Sequence, residues 1–369
     1  MRITADTAAL SSCLDIIEKA LPLRSTIPVI SNIFLEATEE QLSFSATNLE
    51  MSIICSIFNQ NKESGKILLP PKIIDIVRYF PTEKITIDVN WDNYRLDISG
   101  GSAHFNLYGA DYYDYPVSSL PTLKNNESLA FEQNVFKKNM HKVVFAASSE
   151  ETRPAFNGVL FQFNNQHLTL TASDTYRLVI KDIKDESWNM GNKRCLVPAR
   201  AMRELLRIIG DQNQIMSISF AEELLLFEFG QVLLSTRLLD EKYPDVSGVI
   251  PKEYKSRIII ERKALEDTIS RASLLAEGKN QAVNLLLKNQ KLEVKVSSQQ
   301  GSMEEFVPVE QEGEDIELYV NSRFVLDFLK LVDDGRIIID FHGDGGPLLF
   351  RLPEDDDYLY LVLPIKKMS

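Results

Sequence analysis

Apolar and polar residues alternate through residues 156–180, FNGVLFQFNNQHLTLTASDTYRLVI, in the pattern of a β-hairpin. An apolar run meets a polar turn at Asn164, Asn165 and Gln166, and an alternating run follows. Leu168, Leu170 and Ala172 fall on one strand face, and His167, Thr169 and Thr171 on the other. The pattern recurs at 32–54 and at 283–307, where Leu42 and Leu292 take the place of Leu168 at the start of the second strand. Separations of 126 and 124 residues between these leucines mark a long internal repeat.

The surrounding periodicity repeats in the same order. Helical spacing predicts a helix over 4–21, with Leu10, Leu14, Ile17 and Leu21 on one face and Pro22 at its end. Equivalent helices are predicted at 131–147, with Val135, Met140, Val143, Val144 and Ala147 inward, and at 261–276. After each hairpin comes a strand that runs into a short amphipathic helix, at 68–81, 196–210 and 318–332. Two strands and a closing strand complete each unit, the last at 358–369. Tyr115-Pro116 and Tyr243-Pro244 stand 128 residues apart, as do Pro70 and Pro198. Linkers by composition cover 117–127 and 245–256. The expected architecture is α+β, with three similar domains at 1–120, 128–246 and 256–369. Each holds two helices and about eight short antiparallel strands.

Composition narrows the function. No apolar run among the 369 residues approaches the roughly 20 needed to cross a bilayer, and MRITADTAALSSC lacks a signal-peptide core, so a cytoplasmic protein without a membrane partner is expected. Cys13, Cys55 and Cys195 lie far apart and read as buried free thiols. The chain has no P-loop, HExxH, GxSxG or GxGxxG, and its four histidines are scattered, so no catalytic residue, metal site or cofactor is expected. Glu354 to Asp357 reads as a solvated acidic turn, and Gly343 to Gly346 as a hairpin loop.

Charge is unevenly spread. The chain carries −13, yet the six predicted helical stretches together carry +4. Arg200, Arg203 and Arg207 recur at helical spacing, and Lys138 and Lys142 stand four apart. A cationic bias confined to one class of element points to a shared surface facing a polyanion.

With repeat, landmarks and charge in place, the sequence resembles the bacterial sliding clamp family, the β subunits of the replicative DNA polymerase III. The resemblance runs from MRITAD to LPIKK through IPVISN at 27–32, FNGVLF at 156–161, SDTYRL at 173–178 and YPDVSGVIP at 243–251. It implies the DNA clamp fold and a homodimer, joined head to tail in a closed ring around duplex DNA. It also implies a non-catalytic role in polymerase processivity. Arg24, Lys138, Lys142, Arg153, Arg200, Arg203 and Arg207 would face the DNA without reading its sequence. A pocket between the second and third domains would take short linear peptides of the polymerase α subunit, the clamp loader complex, other DNA polymerases and repair proteins. Carried over by motif, the pocket comprises Phe156, Ser173, Thr175, Tyr176, Arg177, Leu178, Pro244, Val249, Asn321, Phe324, Leu361, Val362, Leu363, Pro364 and Ile365. Arg177 would bond a peptide carbonyl or carboxylate. The dimer interface would join Phe105 and Leu107 of one chain to Leu274 and Leu275 of the other.

Departures from the family pattern bear on peptide preference. Ser173-Asp174-Thr175-Tyr176 replaces the usual Thr-Asp-Gly-His, Gly248 replaces a frequent basic residue, and Lys366 to Ser369 extend the tail. Two other functions remain in view. One is a sequence-specific DNA-binding regulator using the 199–210 helix. The other is a metal-dependent enzyme with an acidic site at Asp355 to Asp357.

Overall fold

Asp6 opens the first helix by accepting a 2.8 Å hydrogen bond from the amide of Ala9, and Leu10, Leu14 and Ile17 are buried along one face of that helix, α1 (Thr7–Ile17). The computed structural model describes residues 1–59, 61, 63–117, 120, 128–150, 152–189, 191–221, 223–278, 280–333 and 335–366. Most of the linker expected at 117–127, and Lys367, Met368 and Ser369 of the tail, lie outside the described residues. The other helices are α2 (Lys72–Arg78), α3 (Gln133–Val144), α4 (Ala199–Ile208), α5 (Arg262–Ser273) and α6 (Ser322–Leu329). The described residues also form 25 strands, eight in each of the first two repeats and nine in the third. All strand pairing is antiparallel.

Two helices, α1 and α3, begin later than their apolar periodicity suggests, and α5 begins within a residue of it. Arg2–Asp6, Ser128–Glu132 and Ser256–Glu261 are strands leading into α1, α3 and α5. In the first two, exposed and buried residues alternate, so a two-residue period holds up to the helix start. Val135, expected inward, is exposed. Phe136 takes the core position beside Met140, Val143 and Val144. The closing strand is Asp355–Val362, so Asp355 to Asp357 belong to a strand rather than to a solvated turn. Gly343 to Gly346 do lie between two paired strands, Arg336–Phe341 and Leu348–Leu352.

The chain folds as two compact units, Met1–Val135 with Arg203–Leu238, and Phe136–Met202 with Leu239–Ser369. The first holds a four-stranded sheet in the order Arg2–Asp6, Lys84–Asn90, Arg95–Gly100, Ala103–Tyr108. Its eight-stranded sheet runs Gly65–Leu69, Ile33–Ala37, Gln41–Thr47, Met51–Phe58, Val232–Arg237, Leu224–Phe229, Ile215–Ala221, Ser128–Glu132. The second unit holds a nine-stranded sheet in the order Asn192–Pro198, Gly158–Asn164, His167–Ser173, Arg177–Lys184, Asp355–Val362, Leu348–Leu352, Arg336–Phe341, Ser256–Glu261, Glu310–Gly313. Its four-stranded sheet runs Gly301–Pro308, Lys291–Ser298, Ala282–Lys288, Ile316–Asn321.

The repeat explains the two long sheets. Met51–Phe58, the strand after the first hairpin, pairs with Val232–Arg237, the last strand of the second repeat. Arg177–Lys184, its counterpart after the second hairpin, pairs with Asp355–Val362, the last strand of the third. The remaining counterparts, Gly301–Pro308 and Ala103–Tyr108, are edge strands of the two four-stranded sheets. Leu42, Leu168 and Leu292 are all fully buried, as the repeat requires of its anchor residue.

Candidate partner-peptide site and basic helices

The junction of Arg177–Lys184 with Asp355–Val362 sets Leu178 opposite Leu361. Leu178, Leu349 and Leu361 form a buried cluster, with Ile180, Val246, Ile250 and Leu359 packed against it. A second cluster joins Leu160, Leu196 and Tyr243 to Phe156, Leu239 and Val246. The Phe156 ring meets that of Tyr243 edge-on, 5.6 Å between centroids. Val246 belongs to both clusters and links Phe156 to Leu178. Sequence reading passed over Val246 and Ile250, although YPDVSGVIP contains both. Their apolar character within a segment composed like a linker was the available signal.

Around this floor the surface is apolar and open. Tyr176 is 57% exposed, Val249 54% and Leu363 40%, and Pro244 is also exposed. The Leu363 amide donates to the Tyr176 carbonyl at 2.9 Å, which carries the sheet junction one residue beyond the strand. The tail then turns to Ile316–Asn321, where the Ile365 amide donates to the Tyr319 carbonyl at 2.7 Å. A pocket of about 570 Å³ opens there, lined among others by Glu317, Asp344, Leu363, Pro364 and Ile365. Val362 is fully buried, because alternation turns it to the opposite face from Leu361 and Leu363. It therefore drops out of the set of lining residues.

The 173–178 loop is held by its own side chains. Ser173 Oγ accepts from the Thr175 amide at 3.0 Å and donates to the Arg177 carbonyl at 2.7 Å. Asp174 Oδ1 accepts from the amides of Tyr176 and Arg177 at 2.9 and 3.0 Å. Thr175 sits at φ 79°, the left-handed region that glycine occupies without strain. The first repeat builds the same loop at Thr47 to Met51, with Leu49 at φ 74° and matching bonds from Thr47 and Asn48. Neither copy uses glycine, because these side-chain bonds over-determine the backbone.

Arg177 is not a free ligand. Its guanidinium is buried and donates to Asp174 Oδ2 at 2.9 Å, Asp327 Oδ2 at 2.6 Å and the Phe145 carbonyl at 3.0 Å. It stacks on Phe324, 4.6 Å from the ring centroid. Burial works against its charge, but the neighbouring Tyr360 hydroxyl, Asp327 and Asp174 outweigh burial and hold Arg177 above its ordinary value. Asn321 caps α6 by accepting from the Arg323 amide at 2.9 Å.

The basic residues divide in the same way. Arg24, Lys138, Arg200 and Arg207 are exposed, and Arg203 is half-buried. Lys138 Nζ lies 3.6 Å from Asp333, and Arg207 pairs with Glu204 in its own helix at 2.9 Å. Arg153 donates to Thr175 Oγ1 at 2.6 Å, so it is tied to the 173–178 loop. Lys142 is buried. It pairs with Asp355 at 3.1 Å, lies over the Tyr358 ring, and shares Asp355 with the buried Lys181. Burial raises the Asp355 carboxyl, but hydrogen bonds from Lys181 and Lys142 prevail and hold it below the usual carboxylate range. Both amines of this triad are thus committed to Asp355, which removes Lys142 from the phosphate-facing set and weighs against a metal site at Asp355.

Phe105 and Leu274 are exposed, and Leu107 and Leu275 are half-buried. All three cysteines are buried and unpaired. Among the described residues no three His, Cys, Asp or Glu side chains gather in a way that would hold a metal ion. No helix among them is long and apolar enough to cross a membrane.

Residues 1–121, 130–245 and 247–366 match, in turn, the N-terminal, central and C-terminal domains of the DNA polymerase III beta subunit. A beta sliding clamp of Bacillus subtilis is 31% identical over 99% of this chain and 100% of its own length. One from Staphylococcus epidermidis is 30% identical over 94% of each. The crystal structure of the Bacillus subtilis clamp covers 100% of both chains with a TM-score of 0.94 at 30% identity. These relatives lend nothing to the reading as a sequence-specific regulator. On these matches, and on a three-domain architecture of antiparallel sheets and paired helices, the chain belongs to the bacterial β sliding clamp family of DNA polymerase III.

Proposed function

We propose that two copies of this chain close head to tail into a ring that encircles duplex DNA and tethers the replicative polymerase to it, without catalysing a reaction. One observation carries the reading. Two of the three junctions that the repeat calls for are made within the chain, and the edge strands Gly301–Pro308 and Ala103–Tyr108 are the unmade third. An exposed edge is a template for pairing, and a second copy offers the complementary one. Phe105, Leu107, Leu274 and Leu275 would be covered in that contact. The domains would be 1–120, 128–246 and 256–369, in the cytoplasm.

Arg24, Lys138, Arg200, Arg203 and Arg207 are the cations assigned to DNA. Such contacts are weak, sequence-blind and salt-dependent, which suits a ring that slides. The cleft over Phe156, Leu178, Val246 and Leu361, rimmed by Tyr176, Pro244, Val249 and Leu363, is assigned to short apolar-anchored peptides of the polymerase α subunit. Clamp loader, other polymerases and repair proteins would compete for it. The test joins retention on circular against linearised DNA with fluorescence anisotropy of a polymerase C-terminal peptide. The intact chain should stay on circles, run off linear ends and bind the peptide. Deleting Leu363 to Ser369 should abolish peptide binding and leave retention on circles unchanged. Equal retention on both DNA forms would refute the ring, and unchanged peptide binding after deletion would refute the site.

A further inference from the structure

We infer that Arg177 is a positioning residue that holds the peptide loop in its binding shape by tying it to α6, and that it does not itself contact the peptide. The inference rests on the peptide site assigned above. Three of the five N–H groups of Arg177 are committed within the fold, and its side chain is buried. Its Nε serves Asp174, Nη1 serves Asp327 and Nη2 serves the Phe145 carbonyl, while its Cζ lies 5.3 Å from the Phe145 ring centroid and 4.6 Å from that of Phe324. Asp174 is the residue whose other oxygen receives the Tyr176 and Arg177 amides and so sets the loop. A line of contacts therefore runs from α6, through Asp327 and Arg177, to Asp174 and the left-handed turn at Thr175. Tyr176 and the Leu363 amide bonded to its carbonyl lie at the end of that line. Asp327 is also 4.0 Å from the exposed Arg323, a surface pair that solvent screens.

Two accounts of Arg177 diverge on Asp327→Asn. If Arg177 bonded the peptide directly, weakening its hold on Asp327 would free it and leave peptide affinity equal or tighter. If it positions the loop, the same change loosens the loop and weakens every peptide. The probes are one labelled polymerase C-terminal peptide with a free carboxylate and the same peptide amidated. Asp327→Asn should weaken both by about fivefold or more. Amide exchange at Tyr176 and Arg177 should quicken, while that of Leu168 to Ala172 stays slow. Arg177→Lys should act in the same direction, because an ammonium cannot serve three acceptors in one plane. Arg323→Ala should change affinity less than twofold. Unchanged or tighter binding by Asp327→Asn, loss confined to the carboxylate peptide, or faster exchange across the whole strand would each overturn the inference. Failure of the unaltered chain to bind either probe would instead refute the site.

Discussion

Tyr243 is buried beneath Phe156, and its hydroxyl has no hydrogen-bond partner among the described residues. Burial pushes that hydroxyl's pKa well above its ordinary value, so it stays protonated. An orphaned buried hydroxyl carries a desolvation cost that its removal relieves. Tyr243→Phe should therefore leave stability unchanged or raise it by up to about 1 kcal/mol, read as a shift in urea midpoint. A loss of more than that would mean the hydroxyl is satisfied in solution. The same scale explains Thr175. Its φ looks costly for a branched residue, yet Leu49 repeats it, and in both loops a hydroxyl and an Asn or Asp oxygen fix the turn.

At the scale of elements, the closing strand Asp355–Val362 is fastened to α3 and to Arg177–Lys184 by one carboxylate between two buried lysines. Asp355 is itself only half-buried, so solvent tempers the cost of leaving the two lysines unpaired, and Asp355→Asn should destabilise by about 2 kcal/mol near neutral pH. The sign with pH follows from the depressed pKa. Stability from Asp355 is fully present above the unfolded value near 3.8 and is lost as pH falls through the lower folded value. The gap in urea midpoint between the unaltered chain and Asp355→Asn should stay constant above about pH 5 and close below 3.8. A gap that persists at low pH would assign the effect to packing instead.

For the whole molecule, the decisive feature is the pair of edge strands left by the one unmade sheet junction, Gly301–Pro308 and Ala103–Tyr108. Leu274 is 80% exposed at the end of α5, so a charge there costs the isolated chain little. Buried in a contact between copies, the same charge is expensive. Leu274→Asp should shift the solution mass from twice 41.9 kDa to 41.9 kDa, with circular dichroism unchanged, and should end retention on circular DNA. A dimer that survives would move the interface elsewhere.

Local periodicity was enough to place the threefold repeat, its buried leucines and the short helices after each hairpin. Each of these is written in the spacing of neighbouring residues, where a period of two or of 3.6 selects the buried face. It misjudged the starts of α1 and α3, because a five-residue strand before a helix holds too few turns of either period to stand apart. The fate of single charges lay beyond it altogether. Lys142 and Lys138 look alike on a helical stripe, but Lys142 meets a carboxylate 213 residues away while Lys138 stays at the surface. Nothing near Arg177 in the sequence shows that Asp327, 150 residues on, accepts from its guanidinium. Which face of a segment is buried is a local property; which buried charge finds its partner depends on chain segments brought together only by the sheets.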